Sequence, residues 1–420
     1  MRISTDQFLL GSLDELLAQE STVNQLNQEI ATGQTMLDAT ADPAGAGLAL
    51  EVAGEINQLT YDTANAQSGT ATIQSGLSVL QQVSSLIDQL QQTALQGANS
   101  GVTAATSQAL VSTAQSALQQ LLQLANSQGP DGSYIFAGSK TTAAPFQTLP
   151  NGQIVFNGDS ATNSIEIAPS LTVPVTISGQ SVFTNIPAGN DGVSITVAQS
   201  NTGGAYAVTE GVTSIAQVTS ESLAGTQYEI GFSSGAGNSL NYTVVSGSGS
   251  PGSASFSASS GTVASGSFTA GSDLRFGGID ISIDGTPASG DRFIVQTGTR
   301  SNLFQTVQNL ISAVQSSQPG QAPNFFAQQQ IQNAIANLDN AQNNILAIQA
   351  TLGSNLTEIQ GVLRQDGTQS TNAQAQLDNL QSANLPQVLA SYSASVTALQ
   401  AAELAFTRIQ NLSLFSVIQS

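Results

Sequence analysis

The chain has 420 residues, more than one hydrophobic core usually organises, so roughly two to four domains are expected. It contains no Cys, His or Trp, which excludes disulfides, thiolate nucleophiles, and histidine-based metal sites or proton relays. Seven basic residues against 27 acidic ones give a net charge of −20, with a single lysine, Lys140, which argues against nucleic acid or an anionic membrane as a partner.

Residues 1–20 do not read as a cleavable signal peptide, because Asp6, Asp14, Glu15 and Glu20 sit among the apolar residues and Arg2 is the one positive charge. No run is long enough to predict a membrane span. The expectation is a cytoplasmic protein, or one exported with its N-terminus intact. Leu9, Leu13, Leu16, Val23 and Ile30 follow a four-three rhythm with Glu20 and Asn27 in the gaps, which predicts a heptad-like helix. Thr32-Gly33 and "DATADPAGAG" (38–47) predict a non-helical excursion of about ten residues around Pro43. Helical spacing resumes with Ile56, Leu59, Ile73, Leu77, Leu80 and Ile87, breaks at Gly97–Gly101, and returns with Leu110, Leu118, Leu121, Leu122 and Leu124.

"GPDG" at 129–132 ends this helical half, and Tyr134-Ile135-Phe136 then reads as a strand. Further strands are predicted at 153–156 after an Asn-Gly turn, at 228–232, at 241–245 and at 278–283. Residues 246–272, rich in Gly, Ser, Thr and Ala, read as short exposed strands around Phe256, Val263 and Phe268. Helix returns with Leu303, Phe304, Val307, Leu310, Ile311 and Val314, and breaks at Pro319-Gly320. A long stripe then carries Ile331, Ile335, Leu338, Ile345, Leu352, Leu356, Ile359 and Leu363, with Gln342 and Gln349 in its gaps. The last segment repeats the theme with Leu385, Val388, Tyr392, Leu399, Phe406 and Ile409.

These segments predict an α+β multidomain chain: a long antiparallel helical bundle or coiled coil drawn from both termini, with a β-rich domain inserted between its halves. The expected divisions are 1–50 and 51–133 for the N-terminal coiled-coil helix and half-bundle. Residues 134–302 form the β insertion, with a split near 185, and 303–384 and 385–420 complete the helical parts. Neither terminal stripe is strong alone, so both are expected to be weakly ordered in a free chain and to become helical on association. The polarity of the chain comes from Gln, Asn, Ser, Thr and Gly, with only 8% charged residues, which suits surfaces that pack against other protein.

Little in the chain looks like chemistry. Asp273, Asp280, Asp284 and Asp291 cluster in "DLRFGGIDISIDGTPASGDRF", where Asp284-Gly285 reads as a hairpin turn and Gly290-Asp291 as the start of a strand. Calcium at Asp280, Asp284 and Asp291 is a second reading, although EF-hand spacing is absent, and paired-carboxylate catalysis is a third. There is no phosphate-binding G-x-x-x-x-G-K, and no His to serve a nucleophile elbow, so an enzyme is not expected and no cofactor is implied.

The opening "MRIST", the loop "DATADPAGAGLAL", the segment "GSYIFAGSKTTAAPF", the internal "IDGTPASGDRF" and the closing "LQAAELAFTRIQNLSLF" are similar to the hook-associated protein 3 (FlgL) family, flagellin-like proteins of the bacterial hook–filament junction. The resemblance is strongest over about 1–146 and 325–418, and looser over 180–300. It implies export through the flagellar type III channel with the terminal signal retained, assisted by an export chaperone. It also implies a ring of copies that joins hook-associated protein 1 to flagellin. The residues it marks for subunit packing are Leu9, Leu13, Leu16, Val23, Ile30, Asp42 and Pro43 near the start, and Leu385, Val388, Tyr392, Leu399, Phe406 and Ile409 near the end. The chain departs from the family pattern where Ala41 precedes Asp42-Pro43, and where Gln349-Ala350 replaces an Arg-Ala pair. The alternatives are flagellin itself, or a secreted carbohydrate-binding protein or adhesin built on the β insertion.

Overall fold

A computed structural model describes residues 2–35, 43–99, 103–198, 201–249, 256–317 and 324–418. Helix α1 (Arg2–Thr32) stops at Gly33, which takes a left-handed φ of +70° and donates its N–H to the Glu29 carbonyl at 2.8 Å. Helix α2 (Pro43–Gly97) begins at Pro43, so the Gly- and Ala-rich run 43–47 is helical rather than part of a ten-residue excursion. Proline suits a first helical position because the N–H it lacks would have no intrahelical partner there. The rest of that expected excursion, 36–42, lies outside the described residues. Helix α3 (Ala104–Ala125) is capped by Thr103, whose hydroxyl accepts from the Thr106 N–H at 3.2 Å.

Tyr134–Phe136 is not a strand. Its backbone is spent on loop contacts instead: the Tyr134 N–H donates to Thr141 and the Ile135 N–H to Ser127, while Ile135 and Phe136 are buried. Hairpins follow, β1 (Phe146–Thr148) with β2 (Ile154–Phe156) across the expected Asn151-Gly152 turn, and β3 (Ser164–Ala168) with β4 (Leu171–Pro174). After a π-helical turn at Gln180–Thr184 come β5 (Ile186–Pro187), β6 (Val193–Val197), β7 (Gly204–Val212), α4 (Ile215–Ala224), β8 (Gln227–Ser234) and β9 (Leu240–Gly249). Strand β10 (Phe256–Phe268) is a single 13-residue edge strand with register shifts, not a set of short strands. Strands β11 (Asp273–Phe276), β12 (Ile279–Thr286), β13 (Arg292–Thr297) and β14 (Arg300–Ser301) complete the insertion. Asp284-Gly285 lies inside β12, paired with Tyr206 and Ala205 of β7, rather than in a hairpin turn. Gly285 meets that pairing at φ +97° close to the Gly204 carbonyl, and the chain reverses later, between Thr286 and Arg292. The order β10-β9-β8-β13-β6 forms one sheet and β11-β12-β7 another, and their apolar faces share one core around Ile230, Ile281 and Phe293.

Helices α5 (Leu303–Ser316), α6 (Phe325–Gln381) and α7 (Leu385–Ile418) return the chain to helix. Asn302 caps α5 by accepting from the Phe304 and Gln305 N–H groups, and the buried face is the one the spacing predicted. The expected break at Pro319-Gly320 lies outside the described residues. The architecture is α+β and multidomain, with two compact units: Met1–Ala64 with Val362–Ser420, and Asn65–Gly361.

Within Asn65–Gly361, α2 presents a four-three seam of Ala66, Gly69, Ile73, Gly76, Leu80, Val83, Ile87, Leu90, Ala94 and Gly97. Helix α6 runs antiparallel to it, with Ile331 beside Gly97, Leu352 beside Gly76 and Ile359 beside Gly69. The gaps in the α6 seam are Ala334, Ala341 and Ile348, one residue before the expected 335, 342 and 349. Alanines hold two of these positions, where a small side chain lets the helices approach, and Ile348 holds the third. Gln342 sits beside the seam and donates to the Ser84 hydroxyl at 2.7 Å.

The β insertion is held to α6 by amide side chains. Gln329 accepts from the Ala207 N–H at 2.8 Å and donates to its carbonyl at 2.9 Å, and Asn333 donates to the Ile195 carbonyl at 2.8 Å. Asn337 accepts from the Gly189 N–H at 2.8 Å, and Asn340 donates to the Gly189 carbonyl. Asn344 and Asn355 donate to the Ser181 and Pro174 carbonyls at 2.9 and 2.8 Å. Steps of four, four, three and four from 329 to 344 keep these groups on one helix face. These α6 amides bind the insertion of the same chain. From α2, Asn65 adds a bond to the Glu166 carbonyl at 3.1 Å.

A second anchor is built on the "YIFAGSK" segment. Gly138, at φ +71°, turns the chain so that the Asp159 carboxylate accepts from the Ser139 N–H at 2.8 Å, from the Ser139 hydroxyl, and from the Ala161 N–H at 3.1 Å. The Ser139 hydroxyl and then its N–H hold the Asp159 carboxyl below the usual carboxylate range. Phe136 and Phe146 meet Phe183 at 5.4 Å each, and Phe146 reaches Phe304 of α5 at 5.0 Å.

Gln329→Ala leaves both Ala207 backbone groups without their side-chain partner and should lower unfolding free energy by about 2–4 kcal/mol in urea titration. The exposed α6 control Gln360→Ala should change it by no more than about 0.5 kcal/mol. Gly138→Ala places a Cβ against the Asp159 carboxylate at a left-handed φ and should cost about 2–3 kcal/mol in the same assay.

Candidate functional site

The unit formed by 1–64 and 362–420 carries the residues that the chain ends contribute. Helix α1 packs along α7. The residues after α1 and those between α6 and α7 pair as a short antiparallel bridge, Gln34 opposite Ser382. In it the Thr35 N–H donates to the Gln381 carbonyl at 2.7 Å and the Ala383 N–H donates to the Gly33 carbonyl at 3.0 Å. This bridge fixes where both helices start their pairing and therefore their register.

The inward row of α1 is Ser12, Leu16, Gln19, Val23, Leu26 and Ile30, all half-buried. Leu16, Val23 and Ile30 stand on it as expected, but the alternate positions are 12, 19 and 26, not 13, 20 and 27, and Glu20 and Asn27 are exposed. On α7 the matching row is Val388, Tyr392, Ser395, Leu399, Ala402 and Phe406; Val388 is buried and the others are half-buried. Leu385 and Leu13 face outward, and Pro43 is exposed at the first turn of α2. Asp42 lies outside the described residues, as do the side chains of Leu9 and Ile409.

A second apolar row on α1 is Leu10, Leu13 and Leu17, which are 60%, 40% and 53% exposed; Leu13 is among the expected packing residues, Leu10 and Leu17 are not. Its three-four spacing is visible in the sequence, where Leu13 falls beside the inward row. Leu389 and Leu404 are the corresponding exposed leucines of α7, the latter 59% exposed. One antiparallel partner covers one stripe of a helix, and among the described residues these leucines stay largely exposed.

The aspartates considered for calcium or catalysis have separate structural partners. Asp280 pairs with the Arg275 Nε at 2.8 Å. Asp284 lies by Tyr206, whose hydroxyl is pushed up by its burial first and then by the Asp284 charge. Asp291 is buried and accepts from the Thr202, Gly203 and Ala288 N–H groups at 2.8, 3.0 and 2.8 Å. Among the described residues no group of three or more acidic, His or Cys side chains could hold a metal ion. Among the same residues no helix is long and apolar enough to cross a membrane.

Residues 3–141 match the bacterial flagellin N-terminal helical region. Over 122 residues the chain is 28% identical to flagellar hook-associated protein 3 of Escherichia coli strain K12; the match takes in 29% of this chain and 38% of that protein. Two solved structures from Legionella pneumophila are similar along most of the chain. The flagellar junction protein FlgL has a TM-score of 0.67 at 25% identity, covering 80% of this chain and 99% of that one. Flagellar hook-associated protein 3 has a TM-score of 0.68 at 26% identity, covering 78% and 98%. Paired terminal helices, a β-rich insertion and these matches agree: the chain matches the flagellin N-terminal helical region over residues 3–141 and is similar along most of its length to flagellar hook-associated protein 3.

Proposed function

We propose that the chain is a structural junction protein of the bacterial flagellum, joining the hook, through hook-associated protein 1, to the flagellin filament. It is exported by the flagellar type III route with the help of a chaperone and acts outside the cell as a ring of copies. The observation that carries this reading is the outward leucine row of the terminal-helix unit, Leu10, Leu13 and Leu17 with Leu389 and Leu404. Exposed apolar rows on a helix pair are a surface for further helices, at about 25 cal/mol for each Å² removed from water. Leu16, Val23, Ile30, Val388, Tyr392, Leu399 and Phe406 hold the pair together. Leu13 and Leu385 meet neighbours, and Leu9, Asp42, Pro43 and Ile409 belong to the same packing set. The joint is made by the terminal helices rather than by the β insertion.

Leu17→Asp and Leu404→Asp separate assembly from folding, because both side chains are more than half exposed. The purified variants should unfold within about 0.5 kcal/mol of the wild type. Cells carrying them should still export the protein, lack attached filaments and shed unassembled flagellin into the medium. Full-length filaments on those cells would sink the proposal. Quantifying the chain in sheared filaments separates the junction reading from a filament subunit, since a junction protein appears there in trace and a filament subunit dominates.

A further inference from the structure

In the terminal-helix unit, the first part of α2 and the last part of α6 carry a pair of buried acids that the assembly surface does not use, and the seam between them is distinct from that of α1 and α7. Asp62 of α2 and Asp366 of α6 are each 4% exposed, and the Asp62 charge acts on Asp366. Gln58 donates to Asp62 at 2.9 Å, whereas the Oδ2 of Asp366 is buried with no hydrogen-bond partner. Among the described residues, neither acid forms an ion pair. Besides Asp366, the described charged side chains of this unit are Asp14, Glu15, Glu20 and Glu29 on α1, Glu51, Glu55 and Asp62 on α2, Arg364 and Asp378 on α6, and Glu403 and Arg408 on α7. Of these, Asp62 is the group that acts on Asp366, and Arg364 two residues away points to solvent.

We propose that Asp366 is a proton-binding switch in the terminal-helix unit: protonated, it is a neutral seam residue, and ionised, it opposes Asp62 and loosens the seam. Two like charges in a desolvated seam repel at close quarters, and a bare buried carboxylate oxygen carries a desolvation cost that a proton removes. Burial first, and the Asp62 charge second, push the Asp366 carboxyl above its ordinary range. The folded unit therefore binds the proton more tightly than the unfolded chain does. The resulting stability is fully present below the unfolded value of an aspartate and is lost as pH rises through the raised folded value. This is the reverse of an aspartate held by an arginine. The inference does not depend on the flagellar role.

Hydrogen exchange of the 360–373 amides in the full-length protein, corrected for the intrinsic pH dependence of exchange, reads the seam directly. Wild-type protection should rise on going from about pH 8 to about pH 4, by tenfold for each unit by which the carboxyl is raised. Asp366→Asn should show the high protection at both ends of that range. Asp62→Asn should raise protection at neutral pH and reduce the wild-type slope. The exposed, charge-matched control Asp378→Asn should keep the wild-type slope. The proposal is overturned if Asp366→Asn lowers protection at neutral pH or retains the wild-type slope. It is equally overturned if millimolar calcium or magnesium protects the wild type and not Asp366→Asn, which would make the pair a cation site.

Discussion

A helix uses its own backbone hydrogen bonds internally, so a β-rich insertion can be held to a helix only through side chains. In this chain that constraint is met by amides. A carboxylate on the α6 face could accept but not donate, and burying it would need a cation, which a chain with seven basic residues rarely supplies. An amide does both, as Gln329 does with the two backbone groups of Ala207. The low charged fraction and the richness in Asn and Gln are thus two sides of one design. The inserted strands end against α6 at Ala207 of β7 and Ile195 of β6, where those edges would otherwise expose unpaired backbone.

The same helix can serve the insertion on one face only because its other face fits α2 closely. That fit rests on small residues. Glycine inside a helix costs about 1 kcal/mol relative to alanine, yet α2 carries it at 69 and 76, and it ends on Gly97. A Cβ at Gly97 would stand 2.9 Å from Val314 of α5, and one at Gly69 would stand 3.0 Å from Ile165 of β3. The glycines admit neighbouring elements to the seam, so α2, α5, α6 and the first hairpins share a core. The Phe136, Phe146, Phe183 and Phe304 cluster ties the loop after α3 into that core.

Helix and strand classes were legible because period and punctuation agree over long stretches, as in α5 and β8. Phase was not. In α1 and α6 alike the alternate seam positions fell one residue from the reading, because Ser12, Gln19, Ala334 and Ala341 hold them while larger apolar residues such as Leu13 and Ile335 sit alongside. Hydrophobicity does not set the phase at these positions, since the seams admit Ser12, Gln19 and alanines as well as Leu26 and Ile348. Tyr134–Phe136 misled for a related reason: three buried β-formers can fill a core from a loop when other groups satisfy their backbone. The amide face of α6 had a readable signal in the spacing of Gln329, Asn333, Asn337, Asn340 and Asn344, but polar residues at helical spacing ordinarily mean a solvated face.

The terminal-helix unit shows why a weak seam matters. Its inward rows include Ser12, Gln19 and Ser395, which bury little apolar area, while Leu10, Leu17, Leu389 and Leu404 remain in water. A pair optimised as a free-standing coiled coil would carry its leucines on the inward row and place polar residues outside. Here the division is the opposite at several positions, so packing that covers the outward row would add more apolar burial than any rearrangement within the pair. The bridge at Gln34 and Ser382 then acquires its meaning: it sets the register of a pair whose own side chains specify it weakly. A register held by backbone leaves both outward rows in fixed positions, which is what a surface meeting neighbouring helices requires.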